Sequence, residues 1–228
     1  MKYALVIFDL AGTTVSDNND VARILAQTLK NFGVMVTMEE ANALMGIPKP
    51  KAIRELLTAK KQFRLMDDNT VELIHQAFRT SMIGFYRNDP DVKETTGATE
   101  IFELLKSQGL KIAVDTGFDR LITDVLLERM GWLRNGLVDV SVTTDEVCNG
   151  RPHPDMIFEA MKRTGITDAR QVVKVGDTPA DLQEGAAAAC GCVIGVTGGA
   201  TSFDVLKRYP HHFIEDSLRG VYRRITEI

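Results

Sequence analysis

Two acids in this chain stand where short apolar runs end. Asp9 closes residues 3–9 and is followed by Leu10-Ala11-Gly12-Thr13-Thr14; Asp177 closes residues 172–177, ahead of Thr178-Pro179-Ala180-Asp181. A carboxylate at a strand end can attack phosphorus or ligate a metal, and Gly12 lets the backbone turn tightly beside it. For Asp9 alone, an acid that ends a strand and caps a turn is an equal reading. Residues 178–181 also have a capping explanation, with Thr178 as N-cap, Pro179 as first helical residue and Asp181 as the acid of a capping box. That explanation leaves Asp177 unaccounted for. Hard cations such as Mg²⁺ take oxygen ligands, and two strand-end acids would repel each other without a cation between them. The expected Mg²⁺ ligands are Asp9, the backbone carbonyl of Ala11, and Asp177, with Asp181 holding the loop.

Two weaker signals accompany them. Thr116-Gly117 ends the run 111–116, and a hydroxyl with a free backbone N–H suits a phosphoryl oxygen. Arg151, in Gly150-Arg151-Pro152, can hold a phosphoryl group bidentately without giving up its proton. Taken singly, the first is an ordinary turn and the second a surface arginine. Together, four strand or loop ends supply what an aspartyl phosphoryl transferase needs. Asp9, Thr116 and Arg151 are then catalytic, and Gly12, Thr13 and Gly117 line the substrate.

The elements that must position these groups follow from hydrophobic patterning. Residues 3–9, 111–116, 138–144, 172–177, 192–197 and 212–215 are continuous apolar runs, as strands covered on both faces require. Helical periodicity covers 99–108, ending at Gly109, and also 121–130 and 154–164. This alternation predicts a doubly wound, mostly parallel α/β sheet, which opens its ligand crevice at the carboxyl ends of the strands. Residues 17–87 break the rhythm, with helical patterns at 21–32, 38–44, 49–59 and 70–85 and almost no strand signal. The expected organisation is a core of 1–16 and 88–228 with an α-helical cap domain, 17–87, inserted after the first strand. The joins fall at 15–19 and 87–92, both polar and turn-rich. Met35, Met38 and Met45 read as cap core, and flexible Met45 can also line the site.

Bulk properties narrow the class. The chain has 228 residues, 44% of them hydrophobic and 25% charged, with a net charge of −4. That composition suits a soluble globular protein and disfavours a nucleic-acid partner. The N-terminal apolar run is too short to span a membrane, and Asp9 interrupts it where a secretory segment would continue. Three cysteines without framework spacing suggest a reducing cytoplasm, and Cys190 and Cys192 read as small buried residues. None of the four histidines has ligand spacing. The expected partner is a small phosphorylated metabolite, with neither nucleic acid nor membrane involved and a homodimer left open.

The motifs DLAGTT, VDTG, GRP and GDTPAD, in this order, resemble those of the haloacid-dehalogenase superfamily over essentially the whole chain. The resemblance implies a Rossmann-like core and a Mg²⁺-dependent hydrolase in which Asp9 forms a phospho-aspartate. Most phosphatases of this superfamily carry a second acid two residues after the nucleophile to protonate the leaving oxygen. Here that position is Ala11, and a general acid is often worth ~10²–10⁴-fold. The DxAGT motif, with Arg151 where lysine is usual, resembles the phosphonoacetaldehyde hydrolase (phosphonatase) branch, which uses a cap lysine in a Met-Gly-x-x-Lys motif. This chain has Met45-Gly46-Ile47-Pro48-Lys49. The implied chemistry is an imine at Lys49, whose iminium accepts the electrons of a breaking C–P bond. An enamine then leaves, and no acid at Ala11 is required. Lys51 and Arg54, together with desolvation, are expected to lower the Lys49 pKa. Three positions depart from the phosphonatase pattern: Ala52 replaces a histidine, Asn19 a cysteine and Phe118 a tyrosine. These departures point to a related phosphorylated aldehyde or ketone as substrate. One alternative is a phosphomonoesterase of the same superfamily. Another is a receiver-like phosphate- or Mg²⁺-binding module, which would have no use for the helical insertion.

Overall fold

The computed structural model describes residues 2–227. Its elements are β1 (Leu5–Asp9), α1 (Asp20–Asn31), α2 (Met38–Asn42), α3 (Lys49–Ala59), α4 (Asp68–Asn88), α5 (Ala98–Ser107), β2 (Lys111–Thr116), α6 (Arg120–Met130), β3 (Val140–Thr143), α7 (Asp155–Thr164), β4 (Val172–Gly176), α8 (Pro179–Ala187), β5 (Cys192–Val196), α9 (Phe203–Leu206), β6 (Phe213–Glu215) and α10 (Leu218–Thr226). The strands form one parallel sheet in the order β3-β2-β1-β4-β5-β6. The order reverses at β1, so the crevice beyond the carboxyl ends of β1, β2 and β4 is the topological switch point.

Every residue of β1 is buried, because helices cover both faces. Val6 and Phe8 pack into one apolar cluster with Phe102, Leu105 and Val221, while Leu5 and Ile7 pack into the other with Ile157, Ala160 and Leu182. Register sets Asp9 opposite Asp115 and Phe8 opposite Val175. The chemistry-bearing ends of three central strands are therefore level with one another.

Between β1 and β2 the chain first runs through α1 to α4, whose apolar stripes meet in Leu25, Leu29, Ile53, Leu57, Ile74 and Phe78. The two chain segments that connect these helices to the sheet lie side by side. Ser16 N–H donates to Lys93 O at 3.0 Å, and Thr95 N–H to Thr14 O at 2.8 Å. Two details differ from expectation. α4 continues to Asn88, capped at its start by Asp67, so the turn expected from residue 87 begins at Asp89. Met35 and Met38 are 67% and 40% exposed, because Met35 lies in the loop before α2 and Met38 opens that helix, whose buried residue is Ala41; Met45 alone of the three is in the core.

Candidate active site

The turn after β1 folds back on itself. Leu10 O accepts the N–H groups of Thr13, Thr14 and Val15, and the Thr14 hydroxyl donates to Asp9 O at 2.8 Å. Gly12 sits at φ +91, and a Cβ there would overlap the Asp177 carboxylate. Only glycine accommodates both the left-handed backbone and that approach. The Thr13 hydroxyl donates to Asp177 Oδ1 at 2.9 Å, and Ala200 N–H to Asp177 Oδ2 at 2.7 Å. Gly12 and Thr13, expected to line the substrate, thus sit against Asp177 and are not among the pocket-lining residues. The turn lies across the end of β4, which directs both of them at its acid.

Beneath this turn is a buried ionic cluster. Arg151 has a fully buried side chain. Its Nη1 donates to Asp9 Oδ1 at 2.6 Å, its Nε to Glu184 Oε2 at 2.9 Å, and its Nη2 to Asp115 O at 2.8 Å and to the Asp115 carboxylate. The guanidinium therefore grips Asp9 from behind and does not line the pocket, where a phosphoryl clamp was expected. With Asp181 Oδ1 also 2.9 Å from Nη1, four acids surround the fork. Lys174, in the middle of β4, lies 3.0 Å from Glu184, 3.2 Å from Asp181, and in contact with Asp115. Burial opposes charge on Lys174, but Asp115, Glu184 and Asp181 outweigh it and hold the ammonium well above its usual range. Asp115, Lys174 and Glu184 were not read from sequence. A lysine interrupting the apolar run Val172-Val173-Lys174-Val175 was the available signal, since a charge in a covered strand requires buried partners.

Asp9, Asp177 and Asp181 each bring a carboxylate oxygen within 4.8 Å of the others, all three buried. The capping box is also present: Asp181 Oδ2 accepts from the Thr178 hydroxyl at 2.5 Å and from Thr178 N–H at 3.2 Å. Its Oδ1 is within ion-pair distance of Arg151 and Lys174, yet no donor is aimed at it among the described residues. Burial pushes Asp9 up to about 7, Arg151 pulls it down, and Asp181 pushes it up. Asp177 is raised as well, by burial and then by Asp9 and Asp181. Around the site, the buried acids Asp9, Asp115, Asp177, Asp181 and Glu184 face the buried cations Lys49, Arg151 and Lys174. The surplus of buried carboxyl groups over buried cations and the under-used Asp181 oxygen fit one divalent cation. Asp177→Ala is expected to weaken Mg²⁺ binding, read by calorimetry, by more than the roughly 10–100-fold that loss of an outer-shell partner costs. Unchanged affinity would remove Asp177 from the ligand set.

Above the acids the helical segment closes a pocket of about 350 Å³, including its mouth, lined by Asp9, Ala11, Thr116 and Gly117 from the sheet side and by Met45, Gly46 and Lys49 from the helical side. The approach is close. A Cβ at Gly117 would lie 2.8 Å from Gly46 O and 2.9 Å from Ile47 O, and one at Gly46 (φ +82) would overlap the Thr178 side chain. Thr116 Oγ1 accepts Phe118 N–H at 3.2 Å and keeps its own proton to donate. Lys49, the first residue of α3, is 3% exposed, with Nζ 5.2 Å from the Phe118 ring centre. Burial lowers its pKa to about 8; Asp9 and Asp17 pull the other way, and Arg151 adds to the lowering. Lys51 and Arg54, expected to repel a proton there, do not contribute. Lys51 is exposed, and Arg54 is committed to Asp68 and to Met66 O at 2.8 Å. On a helix, positions two and five residues on point away from the first. Asn19 is also at the surface, bonded to Asn42 at 2.9 Å, whereas Ala52 is fully buried. The one pocket acid missed in the sequence is Asp17, which looked like linker.

A family model described as haloacid dehalogenase-like hydrolase matches residues 6–195. A phosphonoacetaldehyde hydrolase of Bacteroides fragilis is 32% identical over 238 aligned positions, spanning 98% of this chain and 89% of that protein. One from Bacillus cytotoxicus is 33% identical over 196 positions, spanning 81% of this chain and 72% of that protein. Among solved structures, a phosphonoacetaldehyde hydrolase-like protein from Oleispira antarctica superposes with a TM-score of 0.84 at 20% identity, covering 100% of this chain and 95% of that one. Among the described residues, no helix is long and apolar enough to cross a membrane.

Proposed function

This chain belongs to the haloacid dehalogenase-like hydrolase family, and from that premise we propose that it cleaves a small phosphonate or phosphate bearing an aldehyde or ketone, with Asp9 as nucleophile and Lys49 as Schiff-base lysine. The observation that carries the reading is that Lys49 and Asp9 line one small pocket, while the position that would hold a leaving-group acid is Ala11. The lowered pKa of Lys49 supports it, because only the neutral amine attacks a carbonyl.

Lys49 Nζ adds to the substrate carbonyl and, with loss of water, forms an iminium. A carboxylate oxygen of Asp9, oriented by Arg151, attacks phosphorus; the P–C bond breaks, and its electron pair neutralises the iminium as an enamine. Protonation and hydrolysis return the carbonyl product and Lys49, and a second water cleaves the phospho-aspartate to phosphate and Asp9. Thr116 and Gly117 line the pocket, and the Thr116 hydroxyl and the Gly117 N–H would donate to phosphoryl oxygens. Mg²⁺, held by Asp9, Asp177 and the Ala11 carbonyl, with Asp181 beside them, would neutralise phosphoryl charge. The helical segment over the pocket acts as a cap that excludes water from the phospho-aspartate.

Borohydride trapping across a panel of phosphonate and phosphate aldehydes and ketones, read by intact mass and peptide mapping, tests this reading. The expected result is inactivation with the added mass on Lys49. Turnover of phosphate esters with no adduct from any carbonyl compound would instead identify a phosphomonoesterase.

A further inference from the structure

Making an imine at Lys49 takes more than an amine. The carbinolamine formed first must lose its hydroxyl as water, and a nearby acid that protonates that hydroxyl speeds the step. Asp9 is engaged by Arg151 and reserved for phosphorus. The pocket holds one further carboxyl, Asp17. It comes from the segment between β1 and α1, opposite the start of α3 that carries Lys49.

The Asp17 carboxyl is held by its backbone surroundings. Its Oδ1 accepts the N–H of Asp20 at 2.7 Å and of Val21 at 3.3 Å, the orphan donors at the start of α1. Both bonds fall on Oδ1, which leaves Oδ2 free of them. Asp17 and Lys49 sense each other's charge but are not within salt-bridge distance. The two groups share one pocket without pairing directly. Burial raises the Asp17 pKa in spite of the two backbone hydrogen bonds and Lys49, which favours the acid form. Ala52, on the buried side of α3, offers no proton-transfer group of its own.

We propose that Asp17 is the general acid–base of imine formation at Lys49, a catalytic role that rests on the Schiff-base reading above. In the forward step Asp17 Oδ2 gives its proton to the carbinolamine hydroxyl. The C–O bond breaks, water departs, and the nitrogen lone pair closes the C=N bond. The resulting Asp17 carboxylate recovers a proton from the water that later adds to the imine carbon, so the residue is restored over one turnover. An aldehyde or small ketone is the substrate class this arrangement serves, because a phosphate ester without a carbonyl makes no use of it.

The test uses the full-length enzyme with phosphonoacetaldehyde and borohydride, and follows the rate at which the Lys49 adduct appears. Asp17→Asn keeps an oxygen for the Asp20 and Val21 N–H groups, so α1 should retain its start and the melting temperature should hold. It is expected to slow adduct formation roughly 10²-fold or more, within the usual range for a lost general acid, and Asp17→Glu to recover part of that rate. A role limited to tuning charge predicts the opposite sign: removing the Asp17 charge would lower the Lys49 pKa further and speed trapping. If wild type is trapped and Asp17→Asn is trapped as fast or faster, the proposal is overturned while the Schiff-base reading stands. If wild type forms no adduct with any carbonyl compound, both fall together.

Discussion

Asp9→Asn is expected to abolish turnover, reducing phosphate release by roughly 10⁴- to 10⁶-fold, the range seen when a covalent nucleophile is removed. The amide is nearly the same size as the carboxyl and can still accept from Arg151, so far-ultraviolet circular dichroism should be unchanged. Its oxygen is too weak a nucleophile to open a P–C or P–O bond, and no other acid takes its place. Asp177 faces the Thr13 hydroxyl and the Ala200 N–H, and Asp115 is enclosed by Arg151 and Lys174. Borohydride should still place mass on Lys49 in this variant, since imine formation precedes attack at phosphorus. Wild-type phosphate release by Asp9→Asn would end the aspartyl mechanism.

Lys49→Arg should be comparably damaging, at roughly 10³-fold or more in kcat, because a guanidinium keeps the positive charge but cannot condense with a carbonyl. If Lys49 acts only as a cation near the phosphoryl group, arginine should retain most of the rate, and kcat separates the two roles. The pH dependence carries the same information. With the Lys49 pKa lowered to about 8 by burial, against the pull of Asp9 and Asp17 and with Arg151 adding to the lowering, the ammonium form dominates below that value. Imine formation should then rise about tenfold per pH unit on the acidic side and level off above it. A profile flat through that range, or Lys49→Arg turning over at the wild-type rate, would exclude the imine.

The sheet was legible because periodicity is local. Runs such as residues 5–8 and Cys192–Val196 carry no polar side chain that breaks the pattern, and only strands buried on both faces need that composition. The acids closing β1 and β4 and the Thr116-Gly117 end of β2 were visible for the same reason, as was the capping box at Thr178 and Asp181. The final helix, α10, was not recognised, although Leu218, Val221 and Ile225 form its buried stripe; it follows the last strand, where nothing in the pattern demanded another layer.

What the sequence by itself determined about this protein is the α/β sheet, the helical insertion, the identity of the strand-end groups and, through Ala11 and the Met45-Gly46-Ile47-Pro48-Lys49 run, the chemistry to look for. Tertiary structure decided the charge balance. Arg151 reads from sequence as a phosphoryl clamp, but β1, β2 and α8 surround it with Asp9, Asp115 and Glu184, residues 33 to 142 positions away along the chain. Asp17 looked like linker until the segment before α1 lay against the pocket. The physical reason is common to both. An apolar stripe is specified by neighbours three or four residues away, whereas a buried charge is specified by whichever distant group neutralises it, and the packing of strands, helices and loops determines which groups meet.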